Sequence, residues 1–172
     1  MGTKAEEKDL AEGAGMAATV GVVSDTHGLV RPELLAHLRG VDLILHAGDI
    51  GGIEVLQALR EIAPVRAVRG NVDRAEWAAD LPENLIVPVA GLRFFLLHDI
   101  HQLVGDPERA GFDAIVSGHS HTPVVGKRGR VLIVNPGSAG PRRFHLPVSM
   151  ARIRVRDGVA EAELVRLLDD DV

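Results

Sequence analysis

Five short apolar runs in this chain each lead into residues able to bind a metal ion, and that recurrence narrows the folds open to it. The first three are Val20-Gly-Val-Val-Ser-Asp25-Thr-His27-Gly28, Asp42-Leu-Ile-Leu-His46-Ala-Gly48-Asp49 and Val65-Arg-Ala-Val-Arg-Gly70-Asn71. Leu92-Arg-Phe-Phe-Leu-Leu97-His98 and Asp113-Ala-Ile-Val-Ser-Gly118-His119-Ser-His121 follow. Runs of this kind read as buried strands. A parallel sheet gathers the C-terminal tips of its strands along one edge, so residues distant in sequence meet there at a crevice. Asp25, His27, Asp49, Asn71, His98, His119 and His121 are therefore expected in one site. In every run but the one ending at His98 a glycine stands beside the ligand, relaxing the backbone where it approaches an ion or phosphate.

Oxygen and imidazole donors without thiolates suit a pair of divalent transition metals. A lone Asp-x-His or His-x-His triplet usually marks a surface loop; the ordered series is far more specific. Asp-x-His, Gly-Asp, Gly-Asn, His and Gly-His-x-His, each after a strand-like run, resembles the pattern of calcineurin-like metallophosphoesterases, in particular their small bacterial and archaeal phosphodiesterase branch. Ser24-Asp25-Thr26-His27-Gly28, His46-Ala47-Gly48-Asp49, Asn135-Pro136-Gly137-Ser138 and Pro141-Arg142 extend the resemblance over about Thr19 to Ala162.

That resemblance implies an αββα sandwich, four layers with mixed sheets and a metal site at the strand C-terminal ends; the sequence pattern alone supports α/β with late antiparallel strands. It also implies Asp25, His27 and His121 on one metal, Asn71, His98 and His119 on the other, and Asp49 bridging through its two oxygens. The implied reaction is phosphodiester hydrolysis, a bridging water attacking phosphorus in line. Mn²⁺ is the favoured ion, with Fe²⁺, Zn²⁺ and Ni²⁺ as alternatives. A phosphomonoesterase or nucleotide hydrolase on the same centre, or a non-catalytic protein-binding scaffold of the same fold, are the competing readings.

Around the ligands, Asp49, His98 and His101 are the candidate catalytic residues, with His46, Asp73 and Asp99 as candidate supports. His46 sits inside its strand and reads as a satisfied core or supporting histidine. Two positions depart from the family. Many relatives carry a histidine after the metal-binding asparagine to protonate the leaving group, where this chain has Val72; water, His101 or Asp73 are the alternatives for that acid. Asp99 stands where relatives usually have glycine. Trp77 reads as packing.

At 172 residues and 46% hydrophobic, the chain can bury a full core as one domain. A net charge of -5, no Tyr and 3% aromatics argue against a broad nucleic-acid or acidic-membrane footprint, while metal ions would still attract a small-molecule phosphoester. Zero cysteines exclude a disulfide framework, and a cytoplasmic location is the default. Residues 1–15 are charged, lack an apolar signal core and read as a flexible leader, with 16–172 as the domain and Met16 as an alternative start.

Pro32 is expected to open a helix through Leu38, and a second helix is expected over Ile53 to Ile62, ended by Pro64. Hairpins are expected around Ala90-Gly91, the basic stretch Gly126-Lys-Arg-Gly-Arg130 and Asp157-Gly158. In the strand after Ser149 the arginines read as a solvated face, and Leu167 to Val172 as a fraying acidic end. The Leu81 to Val89 segment or an exposed strand is the candidate face for a homo-oligomer.

Overall fold

In the computed structural model, which describes residues 17–169, ten strands form two five-stranded mixed sheets. The leader and the alternative start at Met16 lie outside the described residues. The first sheet grows from β1 (Ala18–Val23), β2 (Leu43–His46) and β3 (Val65–Ala67), all parallel. Each step is bridged by a short helix, α1 (Pro32–Leu38) and then α2 (Ile53–Arg60). The hairpin β9 (Ser149–Arg156) and β10 (Val159–Arg166) completes it, β9 running antiparallel to β1.

The second sheet has the order β4 (Asn84–Val89), β5 (Leu92–Leu97), β6 (Ala114–Val116), β8 (Val131–Asn135), β7 (Val124–Arg128). Its inner strands β5, β6 and β8 are parallel. Pro88 lies on the edge strand β4, where a missing N–H is tolerated and further strand pairing is discouraged.

Alternation along the strands sorts the apolar side chains into layers. Val20, Val22, Leu43 and Leu45 of the first sheet and Phe94, Leu96, Val116 and Val134 of the second form the core between the sheets. On the outer face of the first sheet, Leu34 and Leu38 of α1 and Val55, Leu56 and Leu59 of α2 pack on Val23, Ile44 and Met150. Gly21 lets α1 lie this close, because a Cβ there would strike Leu38. The outer face of the second sheet has a thinner cover: Phe112 stacks on Phe95, and Ile100 from the 3-10 turn Ile100–Gln102 joins Leu97 and Ile115. No α-helix covers that face among the described residues.

Several boundaries differ from expectation. α2 ends at Arg60, two residues early, and a turn spans the gap to Pro64. β7 runs through the basic stretch to Arg128, leaving only Gly129-Arg130 as the turn, because each residue from Val124 to Arg128 pairs with β8. Leu167 is no fraying end: it is 6% exposed in the outer core and its N–H bonds Val148 O at 2.9 Å. Ala90-Gly91 and Asp157-Gly158 have positive φ at both residues, as primed hairpin turns require. Arg152 and Arg154 both face Glu163 on β10, at 3.1 and 3.3 Å; Arg154 and Arg156 are solvated as expected, whereas Arg152 is part-buried and donates to His37 O at 2.8 Å because α1 lies over it.

Candidate metal centre

Six parallel strands, three per sheet, point their C-terminal ends at one edge, and the chemistry begins where they stop. Asp25 follows β1, Asp49 follows β2, Asn71 follows β3, His98 follows β5, and His119 and His121 follow β6. His98 Nδ1 to Ala47 O at 2.7 Å and His119 N–H to Asp25 Oδ2 at 3.0 Å cross between the sheets there, and backbone bonds tie neighbouring strand tips within each sheet. Asp25 N–H bonds Gly48 O at 3.0 Å, His27 N–H bonds Asp49 O at 3.0 Å, and Gly118 N–H bonds His98 O at 2.9 Å. Gly70 and Gly118 are required by contact: a Cβ at Gly70 would collide with Asp49, and one at Gly118 with Ser24.

Asp25, His27, Asp49, His119 and His121 all have φ between 46° and 70°. L-residues pay for this left-handed conformation, and such strain gathers at functional sites. The turn out of each strand is thereby sharp enough to aim the side chain back over the sheet edge.

Asp25 is fully buried, and its Oδ2 accepts Ser24 Oγ at 2.6 Å and His119 N–H at 3.0 Å. Its Oδ1 makes no hydrogen bond within the described residues, although His121 Nε2 lies 3.2 Å away and His27 Nε2 3.8 Å. Asp49 uses Oδ1 to accept Val72 N–H at 3.1 Å, and its Oδ2 lies 3.8 Å from His27 Nε2 and 3.4 Å from His98 Nε2. One oxygen, rather than the two expected, therefore faces both groups of imidazoles. His98 Nδ1 donates to Ala47 O at 2.7 Å, which turns Nε2 toward Asp49 and to within 3.3 Å of His119 Nδ1. A ligating histidine is commonly held this way.

Burial tends to raise the Asp49 carboxyl, but its bond with His98, the Val72 N–H and the nearby imidazoles hold it at about 2. Burial likewise works against a charged His98, yet the Asp49 carboxylate and Ala47 carbonyl outweigh it and raise its pKa. The field at this point favours positive charge. His121 is lowered, first by burial and further by Arg143 and His27 against the pull of Asp25.

A metal ion fits this arrangement on two structural grounds. Asp25, His27 and His121, and separately Asp25, Asp49 and His98, each bring ligand atoms within 4.8 Å of one another. The buried atoms Asp25 Oδ1, His27 Nε2 and His121 Nδ1 have no hydrogen-bond partner among the described residues, a debt that a native interior rarely leaves.

The family profile of the calcineurin-like phosphoesterase superfamily domain matches residues 19–158. This chain belongs to that superfamily. A probable metallophosphoesterase of Methanothermobacter thermautotrophicus is 33% identical, over 86% of this chain and 91% of the relative. A phosphodiesterase of Methanocaldococcus jannaschii is 29% identical over 69% of this chain and 82% of its own length. Among solved structures, a novel archaeal phosphodiesterase superposes with a TM-score of 0.72 at 21% identity, covering 86% of this chain and 99% of that one. Vacuolar protein sorting 29 from Cryptosporidium parvum gives 0.72 at 20%, covering 87% and 97%. These structural likenesses establish the fold.

The other expected residues of this metallophosphoesterase fall into distinct places. Asn71 is exposed and lines, with His98 and Asp99, an open cavity of about 540 Å³. His119 is half-exposed, 4.0 Å from Asp99 Oδ2. His46 is buried and closed within a chain of bonds: Gly48 N–H donates to its Nδ1 at 3.1 Å, so Nε2 carries the proton and donates to Thr26 Oγ1 at 2.9 Å, which donates to Ile50 O at 2.8 Å. Burial lowers its pKa to about 3, and it is neutral at ordinary pH.

Asp73 accepts three backbone N–H groups, from Ile50, Gly51 and Gly70, which occupy both of its oxygens. His101 does not enter the site; its side chain is 88% exposed and bonded to Asp99 Oδ1 at 3.0 Å. Asp99 also caps the 3-10 turn through His101 N–H, so the carboxylate replacing the usual glycine has a local structural job. Burial tends to raise its carboxyl, but the His101 bonds and nearby imidazoles lower it. Trp77 packs against the outer core.

Sequence reasoning missed Ser24, Thr26 and the Val72 N–H as holders of Asp25, His46 and Asp49. It also missed Ser138, whose Oγ donates to Asp25 O at 2.9 Å, and Asn135, whose amide bonds Gly118 O at 2.9 Å. Ser24 and Thr26 flank a ligand, and Asn135 and Ser138 belong to a motif of the resemblance, so all four carried a signal; that Ser138 meets Asp25, 113 positions away, did not.

Proposed function

We propose that this chain is a metal-dependent phosphodiesterase that hydrolyses a small-molecule phosphodiester at a pair of divalent cations. The observation that carries this is the convergence of Asp25, His27, Asp49, His98 and His121, with Asp25 Oδ1 and His27 Nε2 lacking a hydrogen-bond partner among the described residues. Asp25, His27 and His121 would hold one cation and Asn71, His98 and His119 the other, with the Asp49 carboxylate, whose Oδ2 lies 3.8 Å from His27 Nε2 and 3.4 Å from His98 Nε2, available to both. When bound, the cations supply positive charge for the phosphoryl oxygens and lower the pKa of an attacking water.

The chain's own part is positioning. Ala47 O fixes the His98 ring, Val72 N–H fixes the Asp49 carboxylate, and Ser24 with His119 N–H fixes Asp25. Mn²⁺ is the favoured ion, with Fe²⁺, Zn²⁺ and Ni²⁺ served by the same donors. Diester chemistry draws support from the phosphodiesterase of Methanocaldococcus jannaschii. We further read 16–172 as a single domain, on its length and 46% hydrophobic share, and as cytoplasmic by default.

A second reading, a protein-binding scaffold, draws on the fold alone: Chaetomium thermophilum Vps29 complexed with a cyclic peptide superposes with a TM-score of 0.65 at 19% identity. The intact donor set speaks for the enzyme. The test is turnover of bis(4-nitrophenyl) phosphate and 4-nitrophenyl phosphate by metal-stripped protein as Mn²⁺ is added, with Asp49→Ala alongside. Mn²⁺-dependent diester cleavage that vanishes in a folded Asp49→Ala is expected. A wild-type rate in that variant, or preference for the monoester, would refute it.

A further inference from the structure

The cavity beside His98 and Asn71 contains two arginines that the hydrolytic centre does not use. Arg69 and Arg74 line it together with Asp73, Glu83, Asp99 and Gln102. Arg74 Nε donates to the Asn71 carbonyl at 3.0 Å, which ties its guanidinium to a residue of the metal set. Its terminal nitrogens have no hydrogen bond among the described residues. Arg69 is anchored by one bond, Nη2 to Glu83 Oε1 at 3.2 Å. A guanidinium presents paired donors matched to a phosphate and stays charged at any working pH.

Apart from His98 of the metal set, the described lining of this cavity offers carboxylates, amides and guanidiniums rather than an acid for a leaving group. Asp73 accepts three N–H bonds with its two oxygens, and Asp99 Oδ1 accepts two from His101. Val72, beside Asn71, turns its N–H to Asp49 and leaves its apolar side chain 53% exposed. An alkoxide leaving without an acid is slow, because its conjugate acid is weak. A phosphate leaving group needs no proton, and its charge is what a guanidinium stabilises.

We propose that the substrate is a phosphoanhydride, a P–O–P bond between two substituted phosphates, with Arg74 and Arg69 binding the departing phosphate. This rests on the metal-dependent reading of the centre and names its substrate class. The oxygen of one water bonds to the attacked phosphorus as the bridging P–O bond breaks. The electron pair stays on the departing phosphate, two phosphate monoesters form, and the water's protons pass to solvent. Arg74 is here a binding residue for the leaving group, while Arg69 extends the same face.

The experiment compares UDP-glucose, whose anhydride cleavage yields UMP and glucose 1-phosphate, with bis(4-nitrophenyl) phosphate, which has no second phosphate. Both are assayed on the Mn²⁺-loaded full chain in wild type, Arg74→Ala and Arg74→Lys. The ratio of kcat/KM for anhydride over diester is expected to fall about 10- to 100-fold in Arg74→Ala, the loss of a charge-assisted bond, and to recover in part in Arg74→Lys. Equal loss on both substrates would mean that Arg74 merely holds Asn71, and would overturn the proposal. An unchanged ratio would overturn it as well. A wild type that cleaves the diester and leaves UDP-glucose intact sinks this inference but spares the phosphodiesterase reading, whereas silence on both sinks the two together.

Discussion

Asp73→Ala removes a carboxylate that joins the loop after β2 to the loop after β3. Asp73 is 1% exposed; its Oδ2 takes the N–H groups of Ile50 and Gly70 at 3.1 and 2.9 Å, and its Oδ1 takes that of Gly51 at 3.0 Å. A hydrogen bond to a charged group contributes about 1.5–3 kcal/mol. The three are not equal. Ile50 is buried and no water can replace its partner, Gly70 is half-buried, and Gly51 is exposed and readily rehydrated. Discounting Gly51, the loss is about 3–5 kcal/mol, a large share of the roughly 5–15 kcal/mol that holds a domain together.

At about 2–4 °C per kcal/mol for a chain of this size, the apo protein should melt about 6–20 °C lower. Asp73→Asn separates the acceptors from the volume. Its carbonyl can keep the two bonds of Oδ2, while its NH₂ is set against Gly51 N–H, so about 1–2 kcal/mol is expected. Thermal melts followed by circular dichroism in EDTA measure both. A drop under about 3 °C in Asp73→Ala, or an Asn variant as damaged as the Ala one, would refute the reasoning. Because Asp49 precedes Ile50 and Asn71 follows Gly70, Mn²⁺ affinity should fall in the same order.

His46 makes a pH prediction. Its folded pKa is depressed from 6.5 to about 3, so the unfolded chain binds a proton that the folded chain refuses between those values; this contribution to stability is full above 6.5 and lost as pH falls toward 3. Urea titrations of apo protein should show that loss, and His46→Gln should flatten it while lowering stability at pH 7. Metal should stabilise by mass action: Mn²⁺ at 100 times its Kd adds about 2.7 kcal/mol, seen as a rise in Tm that EDTA reverses and Asp49→Asn greatly reduces. His101→Ala should lower kcat on the diester less than about tenfold, short of the 10²- to 10⁴-fold expected of a general acid; a larger loss would return His101 to the reaction.

The strand-tip ligands were legible because each closes an apolar run and carries its own chemistry, and the parallel order of those runs needs only short crossovers to bring them together. Asp157-Gly158 was legible for a similar reason, since two left-handed residues leave few choices of side chain. What escaped was held by groups with no local signature. Backbone N–H groups of Val72, Gly51 and His119 orient carboxylates here, and any residue but proline supplies an N–H. Asp73 read as a candidate acid because its letter shows a carboxyl and cannot show three donors pointing at it. The length of β7 was hidden by Lys127 and Arg128, which resemble a turn yet sit comfortably on an exposed edge strand.

The left-handed conformations at Asp25, His27, Asp49, His119 and His121 give this fold a direction of drift. Each ligand sits at a position where glycine would relieve about 1–3 kcal/mol of backbone strain, offset in part by about 0.5–1 kcal/mol of added freedom in the unfolded chain. At Asp25 and Asp49 that relief is set against the loss of the acceptors of Ser24 Oγ, His119 N–H and Val72 N–H. His27 Nε2 and His121 Nδ1 have no hydrogen-bond partner among the described residues, so substitutions there that abolish metal binding cost the apo protein least. A lineage released from selection for catalysis would shed those histidines first, keeping a sound sandwich whose surface is then open to other uses.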